Sequence, residues 1–179
     1  METLDIEKLC ASLFIEEADK PVAKVDDLLK EVGDRQIKLC LIGKIITNKQ
    51  INREAFRGTI QKIWRTQQLV DVEVIWDNIF VFQFRNQQDR KRVLLGGPWS
   101  FDRGLLVLEV PLGVGNISRM QFTKAEFWIQ VHNIPIFCMN REVGSFVGSQ
   151  LGELCEIDVG ATEACLGKYL RVRVRIDVS

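Results

Sequence analysis

The chain has 179 residues, 46% hydrophobic and 27% charged, an ordinary balance for a globular fold that needs no metal or disulfide to hold it together. Its five cysteines (Cys10, Cys40, Cys138, Cys155, Cys165) are odd in number, widely spaced and free of any CxxC pair, and His132 is the only histidine. That pattern argues against a zinc site and for a reducing compartment. No apolar run approaches the length of a membrane span, and the opening METLDIEKLC is acidic where a signal peptide is basic, so an intracellular protein of nucleus or cytoplasm, with no membrane partner, is expected.

The net charge of zero hides an asymmetry. Residues 1–36 hold five Lys/Arg against ten Asp/Glu, whereas residues 40–110 hold eleven against seven. An acidic arm ahead of a basic body suits a body that meets polyanions and an arm that shields it, and equally a solvated leader on a solvated domain. Within the leader, Ile6, Leu9, Cys10 and Leu13 follow helical spacing and predict a short amphipathic helix, followed by the loop-like EEADKPVAKVDD.

From residue 37 the pattern becomes strand, helix, strand, strand, helix, strand: IKLCLIGKII, NREAFRGTIQKIW, LVDVEVI, IFVFQF, NQQDRKRVLL and GLLVLEV. The first helix has Asn52 as N-cap and places Phe56, Ile60, Ile63 and Trp64 on one stripe, with Arg53, Arg57, Lys62 and Arg65 largely elsewhere. The second begins at Asn86, with Asp89 as a capping-box-like partner, and stops at Gly96-Gly97-Pro98, after which Trp99 and Phe101 re-enter the core. A βαββαβ order is the ferredoxin-like arrangement that RNA-recognition motifs also use. After the linker PLGVGNISR the chain starts again: strand FWIQVHNI, a helix from REVGSFVGSQLG capped by Asn140, then strands ELCEIDV and KYLRVRVRIDV. This is a β-α-β-β half unit, expected to pack against the first because a half unit leaves an edge or face uncovered.

Phe80, Phe82 and Phe84 share one strand face. A two-residue turn at Asp77-Asn78 would set Asp71 and Glu73 beside them. A three-residue loop at 76–78, with Asn78 left-handed, instead pairs residue 75 with 79 and sets Val70, Val72 and Val74 there, which predicts a phenylalanine core under the helices. The base-stacking positions of an RNA-recognition motif then fall on Ile79 and Val81, so the first unit lacks a stacking platform and its outer face should be covered.

Few motifs point to catalysis. There is no GxSxG, P-loop or GxGxxG, His132 reads as a strand-end residue, and the Gly96-Gly97-Pro98 run follows a helix where phosphate-cradling loops precede one. Gly144 and Gly148, four apart, read as close packing of a helix on a sheet. The stretch KYLRVRVRIDV is the functional signal. Leu170, Val172, Val174 and Ile176 form one face; Tyr169, Arg171, Arg173 and Arg175 form the other, able to bind phosphates and stack a base, or simply to guard an exposed sheet.

Taken together, LCLIGKIITNKQINREAFRGTIQKIW, GGPWSF, FWIQVHNIP and YLRVRVRIDV, with a leader of the LxxxLxIEEEE kind, resemble the plant domain-of-unknown-function family that heads the first reading frame of LINE-type (non-LTR) retrotransposons and genes derived from them. In that family a CX2CX4HX4C zinc knuckle usually follows, which implies nucleic-acid binding; the knuckle is absent from these residues, so zinc binding does not carry over, and the resemblance transfers no catalytic residue.

The expectation is therefore an α+β protein: an acidic leader over 1–36 with a short N-terminal helix, an RNA-recognition-like (ferredoxin-like) βαββαβ unit over 37–112, and a linker with the half unit over 113–179. The expected function is non-enzymatic, largely sequence-independent binding of RNA or single-stranded DNA without a cofactor or metal, through Tyr169, Arg171, Arg173 and Arg175 and through Arg53, Arg57, Lys62 and Arg65. The alternative is a domesticated protein-interaction module, with a protein partner or a second copy of itself.

Overall fold

The computed structural model describes residues 26–113, 115–160, 165 and 167–179. The chain divides into two compact bodies, residues 1–32 and 33–179, the second holding both the βαββαβ unit and the half unit. The helix expected around Ile6, Leu9, Cys10 and Leu13 lies outside the described residues. The described residues then enter helix α1 (Asp27–Ile37), which was not expected from the sequence and begins at the last residue of the loop-like EEADKPVAKVDD. Its start is set by Asp26, whose carbonyl accepts from Lys30 N, and by an ion pair of Lys30 with Asp27 at 2.8 Å. Leu28 and Leu29 are exposed. Because α1 runs through Ile37, the strand expected to open there starts at Cys40.

The larger body contains β1 (Cys40–Ile46), α2 (Arg53–Trp64), β2 (Asp71–Trp76), β3 (Ile79–Gln83), α3 (Gln87–Leu95), β4 (Trp99–Phe101) and β5 (Gly104–Glu109), then β6 (Lys124–Val131), α4 (Arg141–Leu151), β7 (Glu153–Ile157) and β8 (Leu170–Asp177). The first sheet has the order β2-β3-β1-β5-β4, with antiparallel neighbours throughout. This is the ferredoxin-like strand arrangement, extended at one edge by β4, which the sequence did not reveal. The β4–β5 hairpin turns through Asp102 and Arg103, both at positive φ (46° and 65°). The three helices expected to be capped by asparagine are so capped: Asn52, Asn86 and Asn140 accept from Ala55, Asp89 and Val143 N.

Phe80, Phe82 and Phe84 are buried beneath α2 and α3 with Leu41, Ile45, Ile60 and Val93. Phe56 lies 4.4 Å from Phe80 and Trp64 4.8 Å from Phe82, centroid to centroid, so the aromatic alternation is core. The register that places Val72 opposite Phe82 and Val74 opposite Phe80 is as expected, but its cause differs. The turn has two residues, Asp77-Asn78, with Trp76 paired to Ile79, and a bulge at Ile75 restores the valine face. One unpaired residue flips the alternation as effectively as a longer loop would. Asp77, not Asn78, takes the positive φ of 44°.

On the other side of this sheet Ile42, Ile79 and Val107 are buried against Phe122, flanked by Val81, Ile117, Met120, Ala125 and Val178. The linker and the edges of the half unit thus cover the face that an RNA-recognition motif leaves open. The second sheet has the order β6-β8-β7, with α4 over the Leu170, Val172 and Val174 side. There Gly144 and Gly148 are buried, and a Cβ added at Gly148 would fall 2.6 Å from Leu154 Cδ1, so the glycine pair is a packing device. Among the described residues no helix is long and apolar enough to cross a membrane.

Candidate nucleic-acid interface

Strand β8 is central in its sheet, so each of its arginines has a neighbour on both sides. Antiparallel pairing sets Trp128 of β6 opposite Arg173, Glu126 opposite Arg175 and Gln130 opposite Arg171. Side chains directly across a ladder share a face, which gathers Trp128, Glu126 and Gln130 with the three arginines on the side away from α4.

The Arg171 guanidinium carbon sits 4.3 Å from the centroid of the Trp128 ring, and that of Arg173 5.9 Å from the same ring. Both lie within cation–π range. Each arginine also has a carboxylate: Arg171 with Asp158 at 3.5 Å, Arg173 with Glu126 at 2.7 Å, and Arg175 with Glu109 at 3.0 Å. The three differ in access. The Arg173 side chain is buried, whereas those of Arg171 and Arg175 are 39% and 33% exposed. Tyr169, expected on the same strand face, lies instead in the bend just before β8, its ring 5.2 Å from that of His132, and it lines a recess with Lys168, Arg171 and Asp158. Arg173 and Arg175 face instead a cleft of about 160 Å³ whose other wall is Leu95, Pro98, Trp99 and Glu109 of the first unit.

Arg53, Arg57, Lys62 and Arg65 are exposed on α2, opposite the buried stripe of Phe56, Ile60 and Trp64, and none of them makes an ion pair with the described residues. Arg57 borders a groove containing Asp71 and Glu73, while Arg65, in the left-handed helix cap, borders a recess with Arg92 and Trp99. The eight expected residues therefore form two groups on different surfaces: cations without carboxylate partners on α2, and an arginine–aromatic array on β8. Sequence reasoning missed Trp128, Glu109, Glu126 and Asp158. Trp128 was visible as an aromatic in an expected strand, but its alignment with Arg173 depends on register between distant strands.

Beside Trp128 on the outer face, the chemistry on offer is stacking and anion binding. The thiols of Cys40, Cys155 and Cys165 are all pushed above their ordinary value, in each case chiefly by burial, which keeps them protonated near neutral pH. Among the described residues no three His, Cys, Asp or Glu side chains gather as a metal would require.

The fold is that of an RNA-recognition-like α+β module carrying an additional half unit. Residues 33–110 match the family described as Domain of unknown function (DUF4283), which covers the βαββαβ unit from the end of α1 to β5 and bears out the resemblance to a domain-of-unknown-function family over that segment. A search of curated proteins finds no match. Among solved structures, the crystal structure of the N-terminal 3 RNA binding domains of the yeast splicing factor Prp24 aligns over 80% of this chain at 9% identity and a TM-score of 0.31, a likeness too distant for residue correspondence. The chain spans 57% of that structure's length.

Proposed function

We propose that this chain is a non-enzymatic module that binds RNA or single-stranded DNA largely without sequence preference, derived from a plant LINE-type retroelement and acting in the nucleus or cytoplasm. The observation that carries the reading is the Arg171 guanidinium held 4.3 Å above Trp128, half-exposed, with Tyr169, just before the strand, lining the same recess as Arg171. A planar cation fixed on an indole is oriented before any ligand arrives, so it can receive a base on its plane and a phosphate at its edge with little further loss of side-chain freedom. By topology β6 and β8 correspond to the first and third strands of an RNA-recognition motif, the strands that carry its stacking residues. The exposed cations of α2 add a sequence-independent electrostatic attraction.

A second reading, a protein-interaction module or self-associating chain, is favoured by one observation: all three β8 arginines already have carboxylate partners within the fold. Fluorescence anisotropy of a labelled RNA oligomer at two salt concentrations separates the two. Binding that weakens steeply with salt supports the first; no binding at low salt leaves the second.

A further inference from the structure

The three arginine–carboxylate pairs are not equally available to a ligand, and the difference singles out one of them. Arg173 is buried and its Glu126 lies at 2.7 Å, so a phosphate could reach it only by dismantling the sheet face. Arg171 is 39% exposed and its Asp158 stands at 3.5 Å, so part of its guanidinium edge is open already. Arg175 lies between these extremes. Its Nη2 donates to both oxygens of Glu109, at 3.0 and 3.2 Å, yet the two side chains remain 33% and 21% exposed at the cleft between the sheets.

Resting on the nucleic-acid reading above, we infer that Glu109 competes with ligand phosphate for Arg175, so that the arginine face takes up nucleic acid by exchanging an internal carboxylate for an external phosphate. Carboxylate and phosphate use the same guanidinium donors. A partly exposed ion pair stabilises little, so its release opposes binding only weakly, whereas each phosphate neutralised also releases condensed counterions. The exchange therefore favours a polyanion, with many phosphates per chain, over an isolated anion. Glu109 belongs to β5 of the first sheet and Arg175 to β8 of the second, so the same exchange undoes the charged tie between the two sheets.

The test is a double-mutant cycle on the full chain, with Glu109→Gln, Arg175→Ala and the double variant, read by anisotropy of a labelled oligouridine at two salt concentrations. Glu109→Gln should bind about two- to fivefold tighter at low salt, the fold-change expected for removing a partly exposed competitor, at a nearly unchanged salt slope, because Arg175 neutralises one phosphate in either complex. In the Arg175→Ala background the Glu109→Gln change should do nothing. A parent that binds while Glu109→Gln leaves its affinity unaltered overturns the exchange alone. An equal gain with and without Arg175 also overturns it, because the carboxylate would then act only through the general field. Absence of binding by the parent and every variant overturns the nucleic-acid reading together with the exchange. Should Glu109→Gln fail to fold, Glu109→Ala supplies the same comparison.

Discussion

Arg175 of β8 and Glu109 of β5 form an ion pair that spans the two sheets, with one guanidinium nitrogen donating to both carboxylate oxygens at 3.0 and 3.2 Å. The apolar half of the same junction is the burial of Phe122 against Ile42, Ile79 and Val107. The junction thus covers the sheet face that corresponds to the base-stacking face of an RNA-recognition motif, and the outer face of the second sheet is where arginines and aromatic rings meet.

The three β8 arginines should differ in their effect on stability in the order of their burial. Arg173→Ala removes the buried ion-pair partner of Glu126 and a cation facing Trp128, and should cost roughly 1–3 kcal/mol, the range for depriving a charged group of its partner. Arg171→Ala and Arg175→Ala act on half-exposed pairs and should each cost less than about 1 kcal/mol. Urea unfolding of the three variants checks the ranking; equal losses would contradict it.

Binding should separate charge from stacking. Arg171→Ala should flatten the single-strand salt slope by about 0.7, while Tyr169→Ala should weaken binding by about 1–3 kcal/mol at an unchanged slope. Trp128→Ala should weaken binding too, because it removes the ring on which Arg171 rests. Replacing Arg53, Arg57, Lys62 and Arg65 together by alanine should flatten the slope without altering base preference. Anisotropy titrations at several salt concentrations measure all of these.

Phe82→Ala should cost roughly 3–5 kcal/mol, because Phe82 is fully buried against Trp64 and Phe56. Val81→Ala, on the opposite face beneath the linker, should cost clearly less, since Val81 is only partly buried and loses fewer atoms. Thermal or urea unfolding decides it, and losses of equal size would mean that the two faces contribute alike.

Asp89 ties α3 to the loop after α2. Its carboxylate accepts from Gln67 and Gln68 N at 2.9 and 3.3 Å, from Asn86 Nδ2, and from Arg92. Burial pushes its pKa up, but these hydrogen bonds and the Arg92 charge outweigh burial and hold it below the usual carboxylate range. A depressed folded pKa means the stabilisation is complete above the unfolded value of about 3.9 and fades as pH falls through the lower folded value. Asp89→Asn should therefore be less stable than the parent at neutral pH, with the gap narrowing below about pH 4. Unfolding midpoints measured from pH 7 down to pH 2 test it, and a gap independent of pH would refute it.

The sequence by itself determined the elements and their inward faces. Asparagine caps, helical stripes and strand alternation are local signals, and Phe80, Phe82, Phe56, Trp64 and the Val172–Val174 face all stand where those signals put them. Local signals failed where the cause was a single residue's backbone: the bulge at Ile75 imitates a longer loop, and the short β4 is announced only by two left-handed turn residues. The site was legible only in part. Alternation placed Tyr169, Arg171, Arg173 and Arg175 on one face, but strand period says nothing about which strand lies alongside. Pairing with β6 and the approach of β5 decided that Trp128 would hold Arg171, that Arg173 would be buried with Glu126, and that Arg175 would be tied to Glu109, 66 residues earlier in the chain. These contacts form between segments far apart in sequence, and their energies depend on distance and burial, which only tertiary packing sets.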